Sequence, residues 1–259
     1  MGVGKKLLIG VFLLICIGKL SVASADPDKP LVIALTSQFP PYTISRQDKT
    51  GIDPELISRV LGLAGYEVTF IPTNSKRVDS ASRETGIDAV TGWSKEFLPV
   101  CHVTRPYRYW LNALIVRQSS NISSIGDLAG KRVAKFEGAE NHIDDFMALT
   151  KDVTNMVISE SSIQAGRLIK ANRVDAYIGD YVGYYYAILS TYGKDVADDL
   201  TSVKHYFKAN DQRICFKDEV IRDKFEESLD KLIDEGIYQS VYSKYAPSVD
   251  PQYYPGKNR

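Results

Sequence analysis

The run Val174-Asp175-Ala176-Tyr177-Ile178 is apolar apart from one acid, and it ends on Gly179-Asp180-Tyr181. An acid at the end of an apolar strand needs a partner, because an unpaired charge is costly to bury. A carboxylate held there would take a cationic partner, a charge-assisted contact. Two further loops fall at strand ends, Thr36 to Tyr42 and Gly92 to Lys95. Trp93 supplies a ring that can stack on a cation or on another ring, or pack one part of the chain against another. Glu137, Asp180 and Tyr181 together suit a cationic ligand.

Bond-making chemistry finds little support. The chain has no GxSxG elbow, HExxH pair, P-loop or GxGxxG turn. Its three histidines, His102, His142 and His205, lack neighbours at metal-ligand spacing, so neither a metal nor a cofactor is expected. Lysines and arginines total 32, as do aspartates and glutamates, which gives no basic surplus for nucleic acid. Hydrophobic residues at 44% and charged residues at 25% are an ordinary globular balance over 259 residues.

The elements that must position these loops alternate. Leu31-Val32-Ile33-Ala34-Leu35 reads as a strand buried on both faces of a parallel sheet. Asp53-Pro54 reads as a helix cap followed by proline at the first helical position. The helix it opens carries Leu56, Ile57, Val60, Leu61 and Ala64 on one face and stops near Gly65. Strands over Tyr66–Ile71 and Ile87–Val90 follow, with a helix over Arg77–Arg83 between them. A strand over Leu111–Arg117 and the break at Gly130 open a second α/β unit, which runs through a helix over Ser161–Ala171 to the strand ending near Asp180. The Tyr184-Tyr185-Tyr186 triplet reads as helix packing and surface, the rings buried and the hydroxyls wet. Ile214–Phe216 is a late strand, and a helical region follows with Val220, Ile221, Phe225, Leu229, Leu232 and Ile233 at core spacing, interrupted at Gly236, before a tail from Ala246 that is expected to run over the surface. Alternating units imply two lobes, each a mostly parallel sheet flanked by helices. In such sheets, ligands bind beyond the carboxyl ends of the strands.

The first 25 residues read as a leader. Lys5 and Lys6 precede an apolar stretch over Leu7–Gly18, and Ala23-x-Ala25 fits cleavage before Asp26. An apolar stretch of about 12 residues is too short for a spanning helix. Cys16 follows Ile15 rather than a small residue, against lipid attachment. Cleavage removes three bases and no acid, leaving a net charge of −3. Cys101 and Cys215 remain; in an oxidising compartment they can bridge, or stay as two small buried thiols.

Five segments in order resemble the family 3 periplasmic solute-binding proteins, the polar amino-acid-binding class that serves ABC importers. They are Leu31-Val32-Ile33-Ala34 with Phe39-Pro40-Pro41-Tyr42 and Gly51-Ile52-Asp53-Pro54-Glu55-Leu56; Val103-Thr104-Arg105-Pro106-Tyr107; Asp127-Leu128-Ala129-Gly130-Lys131-Arg132-Val133; Val174 to Asp180; and Asp234-Glu235-Gly236-Ile237-Tyr238 with Tyr242-Ser243-Lys244-Tyr245.

The resemblance implies a type II two-lobe binding-protein fold with a hinge cleft. Lobe 1 would hold residues 30–115 plus 209–259, and lobe 2 residues 116–208. It implies a monomer, a small polar solute, an ABC permease in the inner membrane as partner, and a periplasmic location. It places Phe39 as a ring packing on the ligand, Asp180 against its ammonium and Thr36 at a polar position. It places Gly92 and Ser94 in a turn offering backbone and hydroxyl groups, and Arg77 near a basic or aromatic contact. The family's carboxylate-clamping arginine should follow Ser94, but this stretch reads Lys95-Glu96-Phe97-Leu98-Pro99. A lysine lacks the planar fork. In lobe 2, Glu137-Gly138-Ala139-Glu140 stands where a Gly-Thr loop is usual. Some relatives on this fold resemble dehydratases, for which Glu137 or Glu140 would be the acid; a soluble partner of a membrane receptor is the other alternative.

Overall fold

The computed structural model describes residues 29–36, 39–74, 77–93, 101–246, 253 and 255. The leader, residues 1–25, lies outside them. The first half runs β1 (Leu31–Thr36), α1 (Ile52–Leu63), β2 (Val68–Thr73), α2 (Val78–Arg83), β3 (Ala89–Trp93), β4 (His102–Val103), β5 (Arg108–Trp110) and β6 (Asn112–Val116). Next come β7 (Arg132–Phe136), α3 (Ala139–His142), α4 (Phe146–Leu149), β8 (Asn155–Ser159), α5 (Ser162–Lys170) and β9 (Ala176–Asp180). The chain closes with α6 (Tyr181–Tyr192), α7 (Lys194–Leu200), β10 (Ser202–Tyr206), β11 (Asn210–Phe216), α8 (Glu219–Asp234) and α9 (Ile237–Tyr242).

These strands form two sheets. The first has the order β2-β1-β3-β11-β4, with β5 also on β11. The second has the order β10-β6-β9-β7-β8. The parallel ladders expected from alternating units form one side of each sheet, β1 with β2 and β3, and β7 with β8 and β9. The antiparallel pairs involve β11 in the first sheet and β6 in the second. Those strands are reached directly from the other sheet, without a helical crossover to reset direction. The chain passes between sheets twice, at Leu111 between β5 and β6 and over residues 207–209 between β10 and β11.

The expected periodicities produce the core. Leu56, Ile57, Val60 and Leu61 of α1 are buried, as are Ile221, Phe225, Leu229 and Leu232 of α8; Ala64 and Ile233 are half-buried, and Val220, expected in the core, lies in the first turn of α8 off its buried face and is 59% exposed. Burying a side chain of this size contributes about 1.5–3 kcal/mol. The Tyr184 and Tyr185 rings are buried as expected, but the Tyr184 hydroxyl is buried with its ring rather than wet and donates to the Leu200 carbonyl at 3.0 Å. The expected helix start is also corrected. Asp53 does not cap α1 and Pro54 is not its first residue: Gly51, at φ 113°, holds the cap, Ile52 opens the helix, and Asp53 and Pro54 lie in the first turn, buried. A side chain on Gly51 would meet the Tyr42 carbonyl at 2.8 Å, so the turn from Tyr42 into α1 requires glycine. Cys101 and Cys215 are disulfide-bonded, with Cα atoms 5.6 Å apart. Among the described residues, no helix is long and apolar enough to cross a membrane.

Candidate functional site

The site is built on the β6–β9 ladder, where Asn112 lies opposite Asp180. Asp180 ends β9 and caps α6, its Oδ2 accepting the Gly183 N–H at 2.6 Å. Its Oδ1 accepts from Tyr42 Oη at 2.7 Å. The residue is 5% exposed. Burial raises its carboxyl pKa to about 6, against the pull of the Tyr42 and Gly183 hydrogen bonds and the Arg108 charge. Gly183 has to be glycine here. An added Cβ would fall 2.4 Å from Asp180 Oδ2 and 3.2 Å from the Phe39 ring.

A stack of rings stands behind and beside that carboxylate. Tyr42 and Trp110 lie 4.5 Å apart between centroids at 21°, and Phe39 lies 5.3 Å from Trp110. The Arg108 guanidinium sits 4.2 Å over the Tyr42 ring and 5.3 Å from Trp110. Arg108 also closes its fork on Asp53, through Nε to Oδ1 and Nη2 to Oδ2. Burial alone would lower the Arg108 pKa; the adjacent Asp53 overrides this and raises it, so the residue stays charged. Burial, with Asp180 beside it, pushes the Tyr42 phenol well up, so it remains a donor.

A cavity of about 370 Å³ opens at this point. Phe39, Trp110, Asn112, Tyr177 and Asp180 line it, with Asn210 of β11. Phe136, Glu137 and His142 face them, as do Ser159, Glu160, Ser161 and Ser162 around the start of α5. The His142 and Phe136 rings lie 5.9 Å apart, and burial lowers the imidazole pKa, leaving it neutral at pH 7. Ser161 caps α5 by accepting the Gln164 N–H at 3.3 Å. Asn210 Nδ2 donates to the His142 carbonyl at 2.9 Å and ties the first sheet to the end of α3. Asn112 is 1% exposed, and its Oδ1 is buried without a protein partner. The arrangement offers a cationic, N–H-bearing group the Asp180 carboxylate, the Asn112 amide and the ring faces of Trp110 and Phe39.

Of the residues the sequence singles out, Phe39, Glu137 and Asp180 line the cavity, and Tyr42 supports Asp180 from behind. Thr36 ends β1 and Gly92 lies within β3, opposite Arg213. Trp93 ends β3; its side chain and that of Thr36 lie outside the described ones, as do residues Ser94 and Lys95. Arg77 and Tyr181 are not among the lining residues. Arg77 is exposed and paired with Glu84 at 3.0 Å, and Tyr181 is buried edge-on to Tyr206 at 5.9 Å. Glu140 is held by Lys135 at 2.8 Å. Sequence reasoning missed Trp110, Asn112 and Phe136. The available signal was an aromatic and an amide at the joint of two strands. Among the described residues, no group of His, Cys, Asp and Glu could hold a metal.

The model of the bacterial extracellular solute-binding proteins, family 3, matches residues 31–248. The L-arginine-binding protein of Pseudomonas aeruginosa is 22% identical over 252 residues, covering 93% of this chain and 96% of that protein. The fold is similar to a polar amino acid ABC uptake transporter substrate binding protein from Streptococcus thermophilus, with a TM-score of 0.70 at 20% identity, covering 86% of this chain and 89% of that one. It is also similar to the L-cystine solute receptor of Neisseria gonorrhoeae in its unliganded open conformation, with a TM-score of 0.65 at 18% identity, covering 85% and 95%.

Proposed function

The chain belongs to family 3 of the bacterial extracellular solute-binding proteins, and from that premise we propose that it captures a small polar solute, amino-acid-like or cationic, and delivers it to an ABC importer. The observation that carries the solute class is Asp180, a buried carboxylate lining a cavity walled by rings. The names borne by the Pseudomonas and Streptococcus proteins support the same class. The protein works outside the cytoplasm after loss of residues 1–25, with a permease as its partner, and as a monomer. It carries out no reaction: Glu140, one of the two acids a dehydratase would call on, is engaged by Lys135.

The two lobes we propose are the units around the two sheets. Their hinge lies at the crossings, Leu111 and residues 207–209. This moves the first boundary from residue 115 to 111, because β6 pairs wholly within the second sheet. Closure about these two joints would bury the solute against Asp180.

A thermal-unfolding screen of amino acids, amines, sugars and organic acids tests the reading. A true solute at 100 times its Kd raises stability by about 2.7 kcal/mol. A screen in which no compound stabilises the protein sinks it. N-terminal sequencing of the exported protein should begin at Asp26.

A further inference from the structure

We propose that the solute of this cleft is an organic cation without a carboxylate, its charged nitrogen held between Asp180 and Asn112 and flanked by the rings of Trp110 and Phe39. The inference rests on the solute-binding reading above and narrows it.

Three observations carry it. The first is the sign of the lining. Asp180, Glu137 and Glu160 are its formally charged groups at neutral pH, and among the described residues it has no lysine or arginine. A ligand carboxylate would add a fourth negative group. The second is the state of Arg108, the guanidinium beside the cavity. Asp53 occupies its fork, and the Tyr42 and Trp110 rings pack against its plane. It cannot clamp a carboxylate bidentately without abandoning a buried partner. The third is the Asn112 amide. It faces Asp180 across the ladder, lines the cavity, and leaves Oδ1 buried without a partner. A ligand N–H is the group that would complete it.

Among the described residues, the N-terminus of α5 is a feature of the lining that would favour an anion. Its Gln164 N–H is taken by the Ser161 side chain, and just before the helix the Glu160 N–H bonds the Gln164 side chain at 2.5 Å. The Glu160 carboxylate also stands at that end of the helix and lines the cavity.

Calorimetric titration of the exported protein with matched pairs differing by one carboxylate tests the proposal: agmatine and arginine, cadaverine and lysine, choline and glycine betaine. The carboxylate-free member of each pair that binds should bind at least tenfold more tightly. Asn112→Ala should weaken the N–H-bearing amine at least tenfold. Arginine or lysine binding as tightly as its amine would overturn the inference and leave the solute-binding reading standing. So would a solute from the wider screen binding when none of these six does. If Asn112→Ala folds and binds the amine as wild type does, Asn112 has no part in the site and the proposal fails as stated. The wild-type comparison needs no variant, so it stands even if Asn112→Ala does not fold. If no compound binds at all, the solute-binding reading itself falls.

Discussion

Tyr42 and Asp180 are 138 residues apart in sequence, and the Tyr42 hydroxyl donates to the Asp180 carboxylate at 2.7 Å. Tyr42 precedes α1 beside the first sheet, and Asp180 ends a strand of the second. The bond joins the two halves at the cavity and favours the charged form of the acid. Tyr42→Phe keeps the ring on Trp110 and removes the donor. The Asp180 pKa should rise further, and affinity for a cationic solute at pH 7 should fall by about tenfold or more, as a hydrogen bond to a charged group contributes roughly 1.5–3 kcal/mol. Part of the loss should return at pH 8.5. Calorimetry at both pH values reads this, and unchanged binding at pH 7 would count against the linkage.

Asp180→Asn removes the charge but keeps a good helix cap. Binding of a cation should weaken by roughly 2–5 kcal/mol, while the melting temperature at pH 7 holds or rises, because a buried charge has been removed. Wild-type affinity in this variant would reject Asp180 as the cation's partner.

The pH dependence has two opposite signs. The native carboxyl titrates near 6, above the roughly 3.9 of an unfolded aspartate, so the native state binds this proton more tightly. The stability it contributes is complete below about pH 4 and is lost as pH rises through about 6. Cation binding needs the ionised form and should tighten across the same range. The neutral His142 in the lining gains a charge as pH falls and reinforces that trend. Comparing melting temperatures and affinities of wild type and Asp180→Asn from pH 4 to 8 isolates this group from Glu137, Glu160 and the rest. A flat difference would show that Asp180 titrates as an ordinary exposed acid.

The Arg108–Asp53 pair should behave as a buried ion pair. Asp53→Leu strands the guanidinium and should destabilise by about 3–5 kcal/mol. The double variant Asp53→Leu/Arg108→Met should recover much of that loss. Chemical denaturation measures both, and a single variant costing under about 1 kcal/mol would contradict the packing described.

Cys101 and Cys215 should resist alkylation in native, unreduced protein and accept two labels after reduction and unfolding. Reduction should cost roughly 2–4 kcal/mol of stability. Two labels on the native, unreduced protein would refute the bond.

How far the sequence could be read depended on the range of the interaction. Asp180 was legible because an acid closing an apolar strand is conspicuous in a short window. So was Phe39, through its resemblance to a family loop. The second task of Asp180, capping α6, hid behind its first. Asp53 was misread for a related reason: Asp-Pro at a helix start signals a cap locally, and only the fold brings Arg108, 55 residues away, onto it. Arg108 and Trp110 sit in the strand just before the crossing at Leu111, where no periodicity marks one side chain over the next. Asn112 resembled the polar edge of an apolar strand, and its value to the site comes from the ladder that sets it against Asp180.

The disulfide has a consequence for durability. Both crossings and every strand of the second sheet lie between Cys101 and Cys215, so that half of the molecule is a loop within a covalent ring. A peptidase that cuts once anywhere between the two cysteines opens the ring without releasing a fragment. The severed ends stay on one molecule, near enough to re-pair, and a protein exposed outside the cell's cytoplasm can be nicked there and still remain whole.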